Sequence, residues 1–291
     1  MNVAVLGAGR LGRALAQRAV AAGHDVSLHD GDANTVMDAV DAVEGQLSDA
    51  DAVDRLSATT GLDAAVSDAA VVVETETTDV SSLQTTFAEL EPAVGRDTLV
   101  APAADGSPVT AAVAGLRHPD RAVGLQFRDP LDSPLVEVVV GEATTAETCD
   151  RAASFVESLE RSPVVVRDAP GIVSTRAALA LEAEAMRLVA DGVAGVAAVD
   201  DALELGFEHA IGPLEQADRA GLDNRLATLE QLRAELGERF EPPDLLRELV
   251  AEGKTGGPRG QGFYTWEDGE PTEPALPGPE LPYGERIPDD G

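Results

Sequence analysis

The chain has 291 residues, 44% of them hydrophobic, with a formal net charge of −32 from 53 Asp and Glu against 21 Lys and Arg. That apolar content excludes a disordered acidic polymer and suffices for one or two domains with their own cores. The anionic balance argues against DNA, RNA and anionic membranes as partners, because each is bound through clustered cations.

Acids are spread along the chain rather than gathered in a tail, and Lys254 is the single lysine. Such a solvated acidic surface resembles that of proteins from halophiles that accumulate salt. Concentrated salt shortens the Debye length to a few ångströms and makes the self-repulsion tolerable, so low salt should destabilise the fold. A lone cysteine, Cys149, leaves no internal disulfide and suits a reducing compartment. The N-terminus enters a strand directly and no long apolar span occurs, so a cytoplasmic protein without membrane segments is expected.

The first predicted element is a buried strand over Val3-Ala4-Val5-Leu6. A turn follows in the G-x-G-x-x-G spacing, Gly7-Ala8-Gly9-Arg10-Leu11-Gly12, and Leu11, Ala14, Leu15 and Ala19 then recur at helical spacing. The first glycine permits the tight turn, the second lets a pyrophosphate approach the backbone, and the third lets helix and strand pack closely. Unpaired N–H groups and the positive end of the helix dipole then favour the anion without a lysine. A second strand, Val26-Ser27-Leu28, ends at Asp30, 18 residues past Gly12 (30 − 12). A carboxylate there accepts hydrogen bonds from the adenosine ribose and repels a 2′-phosphate, which selects NAD over NADP.

Residues 33 to 57 read as one or two exposed helices. Strand Ala69–Val73, ending at Glu74, precedes a helix from Val80 to Leu90, and Leu99–Ala101 gives a fourth strand. A loop from Pro102 to Pro108 leads to a helix over Val109–Leu116. Strands Val123–Phe127 and Leu135–Val140, a helix Ala146–Leu159 and a strand Val164–Val166 complete the first domain. Pro170-Gly171 breaks the pattern and everything after it reads as helical. The expected organisation is a doubly wound, mainly parallel α/β Rossmann domain over 1–167, an all-helical domain over 168–266, and a mobile acidic Pro/Gly-rich tail over 267–291.

These features resemble the 3-hydroxyacyl-CoA dehydrogenase family. The resemblance rests on the glycine turn, Glu74, Gly124 to Pro130 with Leu135-Val136-Glu137-Val138, Asp168-Ala169-Pro170-Gly171 through Arg176, Gly212-Pro213-Leu214-Glu215 with Asp218, and Gly260-Gln261-Gly262-Phe263-Tyr264. It implies an NAD-binding domain, a helical domain that makes a homodimer, and hydride transfer between NAD and a 3-hydroxyacyl-CoA in fatty acid metabolism.

The family's catalytic histidine is matched by Gln126, and the glutamate that orients it by Glu137. Asp105 falls where a serine holds the reacting oxygen, and Thr175 where an asparagine precedes Arg176. Thr78 and Leu83 replace a glutamate and a lysine beyond Glu74. Glutamine takes no proton at physiological pH, and residues 31 to 66 carry Arg55 as their only cation for a CoA phosphate.

A small hydroxy acid is therefore an alternative substrate, and a catalytically silent NAD(H)-binding sensor or interaction protein is the rival reading. His209, beside Gly212-Pro213, and Asp105 are candidate replacement bases. His29 reads as a strand-end residue, and His24 and His118 as solvated turn residues.

Overall fold

The computed structural model describes residues 1–47, 50–77, 79–103, 108–128 and 133–279. The chain forms two compact units, the first ending at Ile172 and the second beginning at Val173.

The first unit runs β1 (Asn2–Leu6), α1 (Arg10–Ala21), β2 (Asp25–His29), α2 (Ala33–Glu44), α3 (Ala50–Val53), β3 (Leu56–Thr59), α4 (Leu62–Val66), β4 (Val71–Glu74), α5 (Val80–Leu90) and β5 (Leu99–Pro102). It continues with α6 (Val109–Ala112), β6 (Gly124–Phe127), β7 (Leu135–Val140), α7 (Ala146–Ser158) and β8 (Ser162–Arg167). Strands β1 to β5 form a parallel sheet in the order β3-β2-β1-β4-β5. Every residue of β4 and all but the first of β1 are buried, because helices cover both faces of the sheet.

One core joins α1 and α7 to the sheet through residues such as Leu15 and Phe155, and the other joins α5 and α6 through Leu83, Phe87 and Val109. Burying each large side chain contributes roughly 1.5–3 kcal/mol. A second sheet, β6-β7-β8, pairs β6 antiparallel and β8 parallel to β7. Val123 N donates to Val100 O at 3.1 Å and ties this sheet to β5. Strand order reverses at β1, so a crevice opens beyond the C-terminal ends of β1 and β4.

Residues 56 and 57, expected at the end of a helical stretch, belong instead to the edge strand β3 (Leu56–Thr59), which pairs Leu56 with Val26. Its side chains are half-buried or exposed, so no apolar alternation marks it in the sequence. The helix expected over Val109–Leu116 stops at Ala112 and tightens into a 3-10 turn over Val113–Gly115. There the chain passes so close to α5 that a Cβ on Gly115 would lie 2.3 Å from Gln84 O. Asp168 caps α6 by accepting from Val109 N at 3.2 Å and Thr110 N at 2.7 Å, and Ile172 packs on the second core. Both contacts keep residues 168–172 with the first unit.

His24 is buried, not solvated. Its Nε2 lies 2.9 Å from Ser158 Oγ, whose own hydrogen goes to Phe155 O, so Nε2 is the donor. Nδ1 then accepts from the N-terminal amine at 3.4 Å, and burial followed by that charge lowers the His24 pKa.

The second unit contains α8 (Ser174–Ala190), α9 (Val196–Phe207), α10 (Pro213–Ala220), α11 (Leu222–Leu236), α12 (Asp244–Ala251), β9 (Tyr264–Glu267) and β10 (Glu270–Pro274). It is helical but not wholly so, because part of the expected mobile tail forms the β9–β10 hairpin. Asp268 and Gly269 both take positive φ, 52° and 85°, as a two-residue hairpin turn requires. Ala275 N donates to Phe263 O at 2.8 Å, and Leu276 packs on the helical core. Residues 280–291 lie outside the described residues.

Fully buried Asp218 anchors this end of the chain, accepting from Phe263 N at 3.0 Å, Tyr264 N at 2.9 Å and Trp266 Nε1 at 3.0 Å.

Candidate nucleotide-binding and catalytic site

The glycine turn joins β1 to α1 at the crevice. Gly7 has φ +95°, its N–H donates to His29 O at 2.8 Å, and a Cβ on it would lie 2.7 Å from Glu76 Cβ. A Cβ on Gly12 would lie 1.8 Å from Gly7 O, whereas one on Gly9 would meet nothing within 4 Å. The second glycine therefore borders open space, and the third is pressed against the turn.

Gly9 caps α1 with no side chain, and no acid stands in the first turn, so the first backbone N–H groups and the helix dipole face outward uncancelled. Within the same turn Ala8 is buried, Leu11 is half-buried against the first core, and Arg10 is exposed. This backbone fits a dinucleotide pyrophosphate.

Asp30 is locked beside the turn. Its Oδ2 accepts from Ala8 N at 3.1 Å and its Oδ1 from Asp32 N at 2.9 Å, which fixes the carboxylate at the end of β2. Thr75 was missed by sequence reading. Its hydroxyl lies 2.9 Å from Leu6 O and 3.1 Å from Gly7 O, which pins the end of β4 to the turn. A lone threonine after a strand carries no local signal of this role.

Glu74 ends β4 opposite Leu6 of β1, at the point where the strand order reverses. Its Oε1 accepts from Thr77 N at 3.0 Å and Glu76 N at 3.3 Å, while Oε2 is buried without a partner among the described residues. Burial pushes this carboxyl up from its ordinary value, against the pull of those donors.

Gln126 and Glu137 are brought together. Antiparallel pairing of β6 with β7 sets them directly opposite each other, so their side chains share one face of the sheet. Gln126 is half-buried, and Glu137 is only 2% exposed. The sequence left them 11 residues apart (137 − 126), and pairing removes that separation. Asp105 and Thr78 lie outside the described residues. Thr175 and His209 belong to the second unit, on separate elements. Thr175 is half-buried in the first turn of α8, and His209 is half-buried just after α9, its N–H donating to Leu203 O at 3.4 Å.

A parallel sheet with this turn, this acid and a following helical unit defines a two-domain, NAD-binding dehydrogenase. The family profile described as 3-hydroxyacyl-CoA dehydrogenase, NAD binding domain, matches residues 2–169, and that described as 3-hydroxyacyl-CoA dehydrogenase, C-terminal domain, matches residues 171–266. The chain belongs to the 3-hydroxyacyl-CoA dehydrogenase family, whose members are NAD-dependent oxidoreductases.

Among its relatives, a probable 3-hydroxybutyryl-CoA dehydrogenase of Bacillus subtilis strain 168 is 32% identical over 281 residues, covering 92% of this chain and 98% of that protein. A probable 3-hydroxybutyryl-CoA dehydrogenase of Deinococcus radiodurans is 33% identical, covering 91% and 100%. The crystal structure of (S)-3-hydroxybutyryl-CoA dehydrogenase from Ralstonia eutropha superposes with a TM-score of 0.86 at 28% identity, covering 92% of this chain and 99% of that one. A catalytically silent NAD(H) binder finds no support in these comparisons.

Proposed function

We propose that the chain interconverts a 3-hydroxyacyl-CoA, or a related small hydroxy acid, with the corresponding 3-oxo compound, and that Gln126 and Glu137 form the polar pair at the reacting oxygen. The observation that carries this reading is their direct opposition across β6 and β7. The bound NAD supplies the hydride acceptor.

Asp30 holds the adenosine ribose, the turn from Gly7 to Gly12 with Ala8, Arg10 and Leu11 holds the pyrophosphate, and Glu74 and Thr78 border the cofactor further along. The Gln126 amide donates a hydrogen bond to the substrate oxygen and polarises it, and Glu137 fixes which way the amide points. Because an amide takes no proton, the hydroxyl proton leaves by another carrier, for which Asp105, His209 and water are the candidates. Thr175 takes the place of the family asparagine.

Loss of a general base lowers the rate by about 10²- to 10⁴-fold, so a slow enzyme is the expected form. The helical unit supplies a homodimer contact, and the acidic surface suits a salt-rich cytoplasm.

The test is acetoacetyl-CoA-dependent NADH oxidation in multimolar potassium chloride, for the natural protein and for Gln126→His. Slow turnover should rise on the order of 10-fold or more in the variant, because Glu137 already stands opposite to orient the ring. If both proteins bind NADH and neither oxidises it with acetoacetyl-CoA or a panel of small oxo acids, nor reduces NAD with the corresponding hydroxy acids, the proposal is wrong.

A further inference from the structure

A small cavity of about 200 Å³ lies where α5 ends and the chain turns toward β5, and its lining includes Glu91, Arg96, Arg117, His118 and Arg121. Strand β5 runs from Leu99 on this side to Pro102 beside the end of Glu74, parallel to β1, so the cavity lies at the opposite end of the sheet from the glycine turn. It cannot be part of the dinucleotide site.

Three guanidinium groups face one carboxylate, a local charge of +2 (3 − 1) before His118 is counted, in a chain whose net charge is −32. The carboxylate is already committed. Glu91 Oε2 accepts from Arg117 N at 2.7 Å, and Oε1 accepts from His118 N at 3.0 Å and Arg121 Nη2 at 3.2 Å. Burial pushes Glu91 up, but these donors together hold it below the usual carboxylate range, so it stays an anion that fixes the loop and one arginine.

Arg121 Nη1 donates to Gly95 O at 2.6 Å and closes the other side of the loop. Its Nε remains buried with no partner among the described residues, although the whole residue is only 7% exposed. The side chains of Arg96 and Arg117 are exposed and make no hydrogen bond or ion pair with any described residue.

A structural role accounts for one arginine here. Arg121 satisfies Glu91 and the carbonyl of Gly95, and the loop needs no second cation. Two further guanidinium groups at the same cavity repel it and each other unless an anion joins them. Guanidinium groups match phosphate oxygens in paired, charge-assisted hydrogen bonds, which survive salt better than long-range attraction does. Concentrated salt also screens the repulsion of a dianion by the distant acidic surface.

We propose that this cavity is a second ligand site that binds a phosphate dianion, held by the side chains of Arg96 and Arg117 with Arg121 as the buried base of the site. The ligand is either free phosphate or the phosphate monoester of a larger molecule such as a nucleotide. The site is distinct from the NAD turn and does not depend on the substrate assigned above.

The test uses the full chain saturated with NADH, so that the glycine turn is filled. Inorganic phosphate and, separately, adenosine 3′-phosphate are titrated at constant ionic strength and followed by calorimetry and melting temperature. Saturable binding with one ligand per chain and a rising melting temperature is expected, and the double variant R96Q/R117Q should weaken it at least tenfold while leaving NADH affinity unchanged. Equal affinity for the two ligands means that the site reads phosphate alone, and tighter nucleotide binding means that it reads a larger molecule; both support the proposal. No saturable binding of either ligand, or binding of equal strength in the double variant, overturns it.

Discussion

Replacing Gly9 and Gly12 by alanine, one at a time, separates what the turn does for the fold from what it does for the cofactor. Gly12 lies in the first turn of α1, where helix propensity alone favours alanine over glycine by about 1 kcal/mol, whereas Gly9 is the N-cap, with φ −70° and an extended ψ that alanine also adopts. At Gly9 the new methyl meets no atom within 4 Å, so Gly9→Ala should change stability by less than about 1 kcal/mol, the smaller entropy of the unfolded chain being offset by the N-cap preference for glycine over alanine.

At Gly12 the methyl would lie 1.8 Å from Gly7 O and 2.9 Å from Thr75 Oγ1. Real Cβ contacts essentially never fall under 3.0 Å, so helix and turn must separate by about 1.2 Å (3.0 − 1.8). Overpacking of that kind costs about 1–3 kcal/mol, and here it outweighs the propensity gain. NADH affinity should fall in both variants, because the Gly9 methyl occupies the open space that a pyrophosphate needs and the Gly12 methyl displaces the turn itself. A tenfold to hundredfold rise in Kd corresponds to about 1.4–2.8 kcal/mol.

Denaturant midpoints and NADH fluorescence titrations on the same samples give both quantities. Gly9→Ala with undiminished NADH affinity would refute the assignment of that space to the cofactor, and Gly12→Ala with undiminished stability would refute the packing argument.

Asp30→Ser should lower NADH affinity by about tenfold, or ~1.4 kcal/mol, and raise affinity for NADPH, since the carboxylate beside Ala8 N is removed; an unchanged ratio of the two dissociation constants counts against the ribose role. His24 has a depressed pKa in the fold, so its neutral form belongs to the folded chain and its stabilising effect is fully present above the unfolded value of about 6.5. As pH falls below that value toward the folded one, stability should drop by at most about 1.4 kcal/mol per pH unit on account of this group. His24→Gln should flatten that part of the stability profile, and an equally steep profile in the variant would show that the titrating group lies elsewhere. Asp218→Ala leaves three buried N–H groups of Phe263, Tyr264 and Trp266 without an acceptor; at 1–3 kcal/mol each and less than additively, a loss of about 3–5 kcal/mol is expected in denaturant unfolding of the second unit. A loss below about 1 kcal/mol would mean that water replaces the carboxylate.

Local demands were legible in the sequence by itself. The turn from Gly7 to Gly12, the strand before it, the helix after it and the acid at residue 30 each satisfy a backbone or charge requirement met within some thirty residues, so spacing alone identifies them. The Asp268-Gly269 hairpin was equally local, its dipeptide being a standard turn signal, but the surrounding prolines and acids masked it. Pro271 and Pro274 are tolerated because β10 pairs with β9 alone, which leaves its other edge unpaired.

What only the tertiary structure decided depends on contacts between distant segments. Edge strand β3 has no apolar pattern of its own and exists because β2 offers it a partner. Register sets Gln126 opposite Glu137, and a slip of one residue would send the two side chains to opposite faces. His24 is buried because α7 brings Ser158 and Phe155 against it across more than a hundred residues. Arg96, Arg117 and Arg121 are scattered points of positive charge along an acidic chain until the turn before β5 folds them around one cavity. Periodicity and spacing record what a residue asks of its neighbours in the chain, whereas pairing, burial and local charge are set by neighbours in space.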